Sequence, residues 1–190
     1  MYDANDISKA SDVTSEELKC AVDKLKKDNK LSYLSKHFIE EGKKYGVNSL
    51  ILMSIACLES GYGMSKLAQE KNNLFGLDAR DSLKGQANYG KDFSTKEECI
   101  THAAHRLGYQ YLKLDESKSY RYCGGKKDIW SIGEKWCSKR DWGDKVINIA
   151  NRLKKEIEDN RSEKDVDYKK LYTDLHNKVD NFIKELEKEK

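Results

Sequence analysis

The sequence predicts a mainly α-helical fold, with one sizeable domain followed by a charged C-terminal helix. At 190 residues the chain is long enough for a single domain and an appendage. Several segments repeat their apolar residues every three or four positions, which is the spacing of one helix face. The chain also contains no proline, a residue that interrupts helices. Together these observations indicate a helical protein.

Two amphipathic segments predict the first two helices. In "SEELKCAVDKLKKD" the apolar residues share one face, and Thr14 or Ser15 caps the start. The segment "LSYLSKHFIEEGKKYG" also has one apolar face and ends in lysines and Gly46, which is a typical helix stop. The residues that define these faces are Leu18, Ala21, Val22, Leu25, Leu31, Leu34, Phe38 and Ile39.

The third helix is predicted to lie in the core. In "VNSLILMSIACLE", Ser54 is the only polar residue between Leu50 and Leu58, so the helix is apolar nearly all round. We expect Asn48 to cap its start. The glycines at positions 61 and 63 are expected to end it.

The middle of the chain alternates between helices and loops. A short helix, "SKLAQEKNN", has Ser65 as its cap. The helical period then disappears, and we expect a small loop and β lobe with short strands around residues 74–77 and 89–93. A strong helix resumes in "STKEECITHAAHRLGYQYLK", and an aromatic, glycine-containing loop follows. The segment "DWGDKVINIANRLKKEIE" predicts the last helix of the domain.

The composition changes after residue 157. Residues 1–157 are therefore assigned to the main domain and residues 158–190 to a charged tail, in which 18 of 33 residues are charged. Apolar residues recur in the tail at spacings of four, four, three and four, which predicts an amphipathic helix or a short coiled coil. Packing back on the domain, self-association and binding of a partner helix all remain open. The residues with this spacing are Leu171, Leu175, Val179, Phe182 and Leu186.

Charge and hydropathy exclude several classes of protein. The 36 basic and 33 acidic residues nearly cancel, which gives no electrostatic case for a dedicated nucleic-acid-binding protein. No apolar run approaches the roughly 20 residues that a membrane span needs. The start, "MYDANDISKASD", lacks the pattern of a secretory signal peptide, so the protein either has a signal outside this chain, leaves the cell by another route or stays inside.

Glu59 is the first candidate for a catalytic group. It follows "LILMSIACL" in the last turn of the most apolar helix, where burial disfavours the charged carboxylate. The partial negative charge at a helix C-terminus opposes ionisation as well. Both effects would keep the carboxyl protonated, as a general acid requires. The alternative is an ordinary exposed glutamate that bonds to Lys66.

The loop after Glu59 has the residue types of a ligand site. Gly61 and Gly63 let the backbone pass close to a bulky ligand. Tyr62 offers an apolar face with a hydroxyl, which suits stacking on a sugar ring. Asn72 and Asn73 can donate and accept hydrogen bonds at once, which suits amide and hydroxyl groups.

The segment "ESGYGMSKLAQEKNNLFGLDARD" closely resembles the core of the bacterial N-acetylglucosaminidase autolysins of glycoside hydrolase family 73. These proteins carry E-[ST]-G-x-G-x-S-x-L-A followed by Y/N-N-[LM]-[FY]-G. The preceding "KKYGVNSLILMSIACLE" is similar to their approach helix. The later "WSIGEKWCSKRDWGDKVINI" resembles part of their closing segment, so the resemblance covers roughly residues 14–153.

This resemblance implies a lysozyme-like, mostly helical fold with a substrate groove. It implies a peptidoglycan hydrolase that cleaves the β-1,4 bond after N-acetylglucosamine, with Glu59 as the general acid. It implies no metal and no organic cofactor, and it implies action at the bacterial cell wall, whether the protein is secreted, released by a phage or part of a larger apparatus. The alternatives are a muramidase or lytic transglycosylase on the same polymer, and a non-catalytic wall-binding or assembly module.

The group that assists Glu59 is less well defined. Glycosidases usually employ a second carboxylate, and the resemblance favours Asp81 over Asp78 and Asp92. The 2-acetamido group of the substrate could instead act as nucleophile. Trp136 occupies a position where relatives have a tyrosine, and an indole can donate a hydrogen bond but cannot exchange a proton as a hydroxyl does. The residues expected to bind substrate in the groove are Tyr62, Asn73, Phe75, Tyr122 and Trp136.

Overall fold

A computed structural model describes residues 1–79, 89–113 and 121–188. For residues 185–188 it describes the backbone alone. The described chain is mainly helical, which confirms the predicted fold class. A 3-10 turn (Ser32–Leu34) precedes the second helix, and a π-helical segment (Arg106–Leu112) extends the fifth. The α-helices are α1 (Ser15–Leu25), α2 (Ser35–Tyr45), α3 (Ser49–Ser60), α4 (Lys66–Glu70), α5 (Lys96–His105), α6 (Ile129–Trp136) and α7 (Trp142–Lys188).

Helix α3 is the central helix of the domain, as its sequence predicts. All of its apolar residues from Leu50 to Cys57 are buried, and the helix packs against α2 and α7. Asn48 caps it, because its side-chain oxygen accepts hydrogen bonds from the backbone N–H groups of Leu50 and Ile51. The amide of Asn48 also donates to the carbonyls of Met1 and Lys9, which ties the N-terminal segment to the start of the core helix.

Three consecutive residues with positive φ end helix α3. Gly61, Tyr62 and Gly63 have φ angles of 56°, 62° and 79°, so the chain turns sharply straight after the helix. The left-handed conformation is unusual for Tyr62, which is not a glycine. Its carbonyl accepts a hydrogen bond from the backbone N–H of Lys30 at 2.9 Å. The last turn of α3 is therefore fixed in position and not frayed.

The lobe between α4 and α5 contains turns over its described residues, so the strands predicted at 74–77 and 89–93 are wrong. The side chain of Asn73 explains this result. Its amide donates to the carbonyls of Leu77 and Lys91 at 2.9 and 3.0 Å, and its oxygen accepts from the N–H of Leu77. The backbone N–H of Lys91 also donates to the carbonyl of Leu77 at 2.9 Å, so the two segments share one backbone hydrogen bond, and Asn73 occupies the neighbouring backbone groups. Residues 80–88 of this lobe lie outside the described residues.

Helix α5 continues into the π-helical segment at a point of close helix contact. A Cβ atom on Gly108 would lie 2.2 Å from the carbonyl oxygen of Tyr45, so only glycine allows α2 to approach this closely. A π-helical turn changes the direction of the side chains that follow it. Two side chains of this segment, Arg106 and Tyr111, line a cavity that is described below.

Helix α7 crosses the predicted boundary at residues 157 and 158 without a break. Ile157 is its last buried apolar residue among those described, and Arg161 then binds Glu17 of α1 through an ion pair of 2.6 Å. No helix in the described part of the chain is long and apolar enough to span a membrane. Beyond Arg161 the large apolar side chains are exposed: Val166, Tyr168, Leu171, Tyr172, Leu175, Val179, Phe182 and Ile183.

Candidate active site

Glu59 lies in the last turn of the core helix, and its carboxyl group is mostly enclosed by protein. Burial raises the pKa of Glu59 above its usual range, because it disfavours the charged form. Hydrogen bonds from Trp142 and Trp136 and the positive charge of Lys139 oppose this rise only in part. The carboxyl is therefore predisposed to hold a proton at a pH where an exposed glutamate has lost it.

Two tryptophans hold one oxygen of this carboxyl group. The indole Nε1 of Trp142 donates to Oε1 of Glu59 at 2.6 Å, and the indole Nε1 of Trp136 donates to the same oxygen at 3.2 Å. The two rings stack with their centroids 5.9 Å apart. Trp136 is the last residue of α6 and Trp142 the first of α7, so the short connection between these helices brings both indoles to the end of α3.

This arrangement distinguishes the two oxygens of Glu59. An indole N–H can only donate, so an oxygen that accepts two such bonds behaves as the carbonyl oxygen of the acid. The acidic proton is then favoured on Oε2. A Cβ atom on Gly76 would lie 3.4 Å from Oε2, which places this oxygen beside the backbone of the loop lobe. The oxygen that can deliver a proton thus faces the lobe, opposite the tryptophans.

Two cavities adjoin the carboxyl group. Glu59 itself lines a cavity of 280 Å³ between the end of α3 and the start of α7, together with Leu58, Cys137, Lys139, Asp141, Trp142 and Lys145. A second cavity of 170 Å³ contains Gly76 and Trp136 in its wall, and both of these residues approach Glu59. The lining of the second cavity is Phe75, Gly76, Leu77, Asp78, Ala79, Arg106, Tyr111, Arg121, Lys135 and Trp136.

The predicted substrate-binding residues divide into two groups. Trp136 and Phe75 line the second cavity, although the ring of Phe75 is only 1% exposed and packs 6.4 Å from that of Phe38. Asn73 is also 1% exposed, and its side chain is bound to the backbone of the loop lobe. Asn73 therefore supports the backbone of the loop lobe and is not itself among the residues that line the second cavity.

The remaining predicted residues, among those that the structure describes, line neither of these two cavities. Tyr62 is partly buried in the turn after α3. The hydroxyl of Tyr122 is enclosed and has no hydrogen-bond partner among the described residues, and a Cβ atom on Gly125 would lie 3.6 Å from it. Asp81 lies outside the described residues, so its predicted role stays a prediction.

Described carboxylates near the site are held in ion pairs. Asp78 lines the second cavity and lies 3.5 Å from a guanidinium nitrogen of Arg106. Asp92 pairs with Lys71 at 3.3 Å. Asp141 lines the same cavity as Glu59 and pairs with Lys145 at 2.6 Å.

Sequence reasoning missed the second indole donor. Trp142 lies at the start of the segment that predicts the last helix, and it is 3% exposed, but its N–H also binds Glu59. The available signal was that both tryptophans flank the short connection between α6 and α7. The sequence gives no distance between this connection and α3, which lies more than 70 residues earlier.

Comparison with known proteins agrees with this architecture. A protein-family model described as mannosyl-glycoprotein endo-beta-N-acetylglucosaminidase matches residues 35–155. Two curated proteins of Streptococcus pneumoniae, from strains TIGR4 and R6, are each 26% identical over 153 residues. Both are provisionally named endo-beta-N-acetylglucosaminidase. The match covers 80% of this chain but only 22% and 21% of those proteins, so the chain spans about a fifth of their length.

Solved structures of autolysin E from Staphylococcus aureus share the fold. A catalytic glutamate-to-alanine mutant in complex with the disaccharide NAG-NAM superposes with a TM-score of 0.61 at 22% identity, covering 82% of this chain and 74% of that one. A complex with the muropeptide NAM-L-Ala-D-iGlu gives a TM-score of 0.60 at 23% identity, covering 80% and 72%. These likenesses and the family match confirm the family that the motifs around Glu59 predict. The chain belongs to the glucosaminidase family of glycoside hydrolases.

Proposed function

We propose that this chain is a peptidoglycan hydrolase that cleaves the β-1,4 bond after N-acetylglucosamine, with Glu59 as the general acid. The observation that supports this best is the state of the Glu59 carboxyl group. It is largely enclosed by protein, its pKa is raised, and two indoles hold Oε1 while Oε2 faces Gly76. A general acid needs a retained proton and a fixed direction of delivery, and these features support such a role for Glu59.

In the proposed reaction Glu59 transfers the proton from Oε2 to the glycosidic oxygen. The bond between this oxygen and C1 of N-acetylglucosamine breaks, and the leaving sugar takes the proton as a hydroxyl group. Positive charge develops at C1 through an oxocarbenium-like transition state. Water then adds to C1 and loses a proton, which restores the acid. The two indole donors keep the Glu59 carboxylate in place when it becomes charged.

The partner of Glu59 in this reaction is proposed from the sequence. Asp81 would act as the second carboxylate on the loop lobe, or the 2-acetamido group of the substrate would attack C1 while Asp81 orients it. Tyr62, Phe75, Tyr122 and Trp136 would shape the groove, and Asn73 would hold the lobe that forms one wall. Peptidoglycan glycan strands at the bacterial cell wall are the proposed substrate.

Digestion of purified cell walls tests this proposal. Wild type is expected to release products with new reducing ends on N-acetylglucosamine, identified by mass spectrometry after borohydride reduction. Glu59→Gln removes the acidic proton with little change in shape, and we expect it to abolish release. Glu70→Gln is the matched control, because Glu70 is exposed at the end of α4.

The alternatives give different products. Reducing or 1,6-anhydro muramic acid ends would show a muramidase or a lytic transglycosylase and would overturn the cleavage position. Wall binding by a folded wild-type protein without any release would identify a non-catalytic module. Release by Glu59→Gln at the wild-type rate would remove Glu59 from the mechanism.

A further inference from the structure

The 170 Å³ cavity beside Glu59 is strongly cationic. Arg106, Arg121 and Lys135 all line it, whereas Asp78 is the single carboxylate among the described residues of its lining. The three cations come from the π-helical segment, from the loop after it and from α6. Their convergence is therefore a property of the fold and not of one helix face. Among the described residues of the lining, positive side chains therefore outnumber negative ones.

Arg106 lines this cavity and has a hydrogen-bond donor, its Nε–H group, without an acceptor among the described residues. Its side chain is only 13% exposed, and its ion pair with Asp78 is long, at 3.5 Å, to a carboxylate that is itself 53% exposed. The Nε–H group of Arg106 is enclosed and has no acceptor among the described residues. A buried donor without an acceptor is costly, so an oxygen atom from a ligand or water is expected there.

The cavity lies next to the proposed point of bond cleavage. Gly76 and Trp136 line it, and these residues approach Oε2 and Oε1 of Glu59 respectively. We therefore expect a glycan whose glycosidic oxygen lies at Glu59 to place some of its substituents at the opening of this cavity. The volume of 170 Å³ holds a small substituent or several waters.

The chemistry of the glycan limits which substituent can bind there. The sugar rings, hydroxyl groups and N-acetyl groups of peptidoglycan are uncharged. Its negative charges near the backbone are carboxylates on the muramic acid arm, either on the lactyl group itself or on the first residues of the stem peptide. Arginine binds carboxylates through paired hydrogen bonds, which suits a site with two arginines.

We propose that the cavity lined by Arg106, Arg121 and Lys135 is a subsite for a carboxylate on the muramic acid arm of the substrate. This proposal rests on the proposed function, because it assumes that the glycan lies against Glu59. It adds a requirement for an anionic arm beside the cleaved bond. The protein would then distinguish peptidoglycan from neutral polymers of N-acetylglucosamine.

Binding measurements on the full chain carrying Glu59→Gln test this subsite without catalysis. Three tetrasaccharides serve as probes: neutral chitin tetrasaccharide, stem-free peptidoglycan tetrasaccharide with lactyl carboxylates, and the same glycan carrying L-Ala-D-iGlu. The double variant carries Arg121→Gln and Lys135→Gln together in the Glu59→Gln protein. We expect it to bind a carboxylate-bearing probe about tenfold more weakly, because charge-assisted hydrogen bonds are lost. Binding of chitin tetrasaccharide is expected to change less than twofold.

Two further variants control the charge effect. Lys126→Gln removes an exposed positive charge outside the cavity and should leave all three affinities unchanged. Asp78→Asn should do the opposite of the double variant and tighten binding of the anionic probes, because it removes the one negative charge of the lining. Asparagine tolerates the left-handed conformation of this position, where φ is 57°, so the loop should retain its shape.

Each outcome decides a specific point. Weakening only with the peptide-bearing probe assigns the subsite to the stem peptide, and weakening with the stem-free probe assigns it to the lactyl group. Equal loss for all three probes, or no loss for any, would overturn the subsite. If wild type releases nothing from cell walls and the double variant still loses affinity for the carboxylate-bearing probes but not for chitin tetrasaccharide, the proposed reaction fails while the carboxylate subsite stands.

Discussion

The indole nitrogen of Trp142 lies 2.6 Å from Oε1 of Glu59 and joins the first residue of α7 to the last turn of α3. This hydrogen bond is shorter than the 3.2 Å contact from Trp136 to the same oxygen. Hydrogen bonds to the carboxylate favour its charged form, whereas burial favours the neutral one. The raised pKa of Glu59 is thus the balance of two opposed effects, and each can be changed separately.

Replacement of Trp142 by phenylalanine should raise the pKa of Glu59 further. The aromatic ring is kept, but the donor that stabilises the carboxylate is lost. Because Glu59 is proposed to act in its protonated form, the alkaline limb of the pH profile of kcat/KM should move to higher pH. At the same time kcat should fall roughly tenfold or more, since the carboxylate that forms on Glu59 during proton transfer loses its shorter hydrogen bond.

Trp136→Phe provides the comparison for this variant, and its longer hydrogen bond predicts a smaller shift of the alkaline limb. Thermal unfolding of both variants, followed by circular dichroism, separates loss of packing from loss of the donor. An alkaline limb that stays in place in Trp142→Phe would contradict the assigned role of this indole.

Glu59→Gln should stabilise the protein at neutral and mildly alkaline pH. The folded-state pKa of Glu59 is raised, so the contribution of this group to stability is complete below its unfolded pKa and is lost as pH rises through the folded pKa. Glutamine carries no charge and avoids that loss. We expect Tm to rise by a few degrees at pH 8 and the difference from wild type to vanish near pH 4. A stability difference that does not depend on pH would show that Glu59 is not desolvated.

Gly76→Ala should inactivate the enzyme with only a modest loss of stability. The φ angle of Gly76 is 61°, where a side chain costs about 1–2 kcal/mol, and the new Cβ atom would lie 3.4 Å from Oε2 of Glu59. A methyl group there would occupy the space needed by the glycosidic oxygen, so we expect activity to fall roughly a hundredfold.

Gly46→Ala is a matched control for the backbone cost. Its φ angle is 66°, and a Cβ atom there meets nothing within 4 Å. Both variants should lose a similar amount of unfolding free energy in urea, and only Gly76→Ala should lose activity on cell walls. Equal activity of the two variants would exclude Oε2 as the proton-delivering oxygen.

Arg161→Gln should destabilise the protein in a pH-dependent way. The guanidinium of Arg161 lowers the pKa of Glu17 to about 2, so the ion pair contributes stability above the unfolded pKa of Glu17 and loses it as pH falls towards 2. We expect a loss of about 1 kcal/mol at pH 7 by urea denaturation and little difference at pH 2.5. Lys155→Gln, which removes an exposed pair with Asp159, should change stability by less than half as much.

The sequence predicts the helices well where the signal is local. The run from Leu50 to Leu58 shows both that α3 is buried and that Glu59 follows it at a helix end, and the structure agrees. Thr14, Asn48 and Ser65 cap the helices that their positions predict, because a cap depends only on the next three residues.

Features that depend on distant parts of the chain were not predictable in the same way. Asn73 has the side chain of a ligand-binding residue, but its partners are backbone groups of Leu77 and Lys91, and a sequence does not reveal that Lys91 lies nearby. The same limit applies to the convergence of Arg106, Arg121 and Lys135 on one cavity. The local pattern thus points to Glu59 as a candidate, whereas the groups that hold and surround its carboxyl group depend on packing.

Helix α7 gives the molecule a built-in spacer. It begins at Trp142 beside Glu59, and about 30 residues of it extend past Ile157. At 1.5 Å per residue this extension measures roughly 45 Å. Anything joined to its far end would be kept at that distance from the domain by a continuous rod. The near end of the same helix is anchored, because Val146, Leu153 and Ile157 are buried in the domain, and its first residue bonds to Oε1 of Glu59.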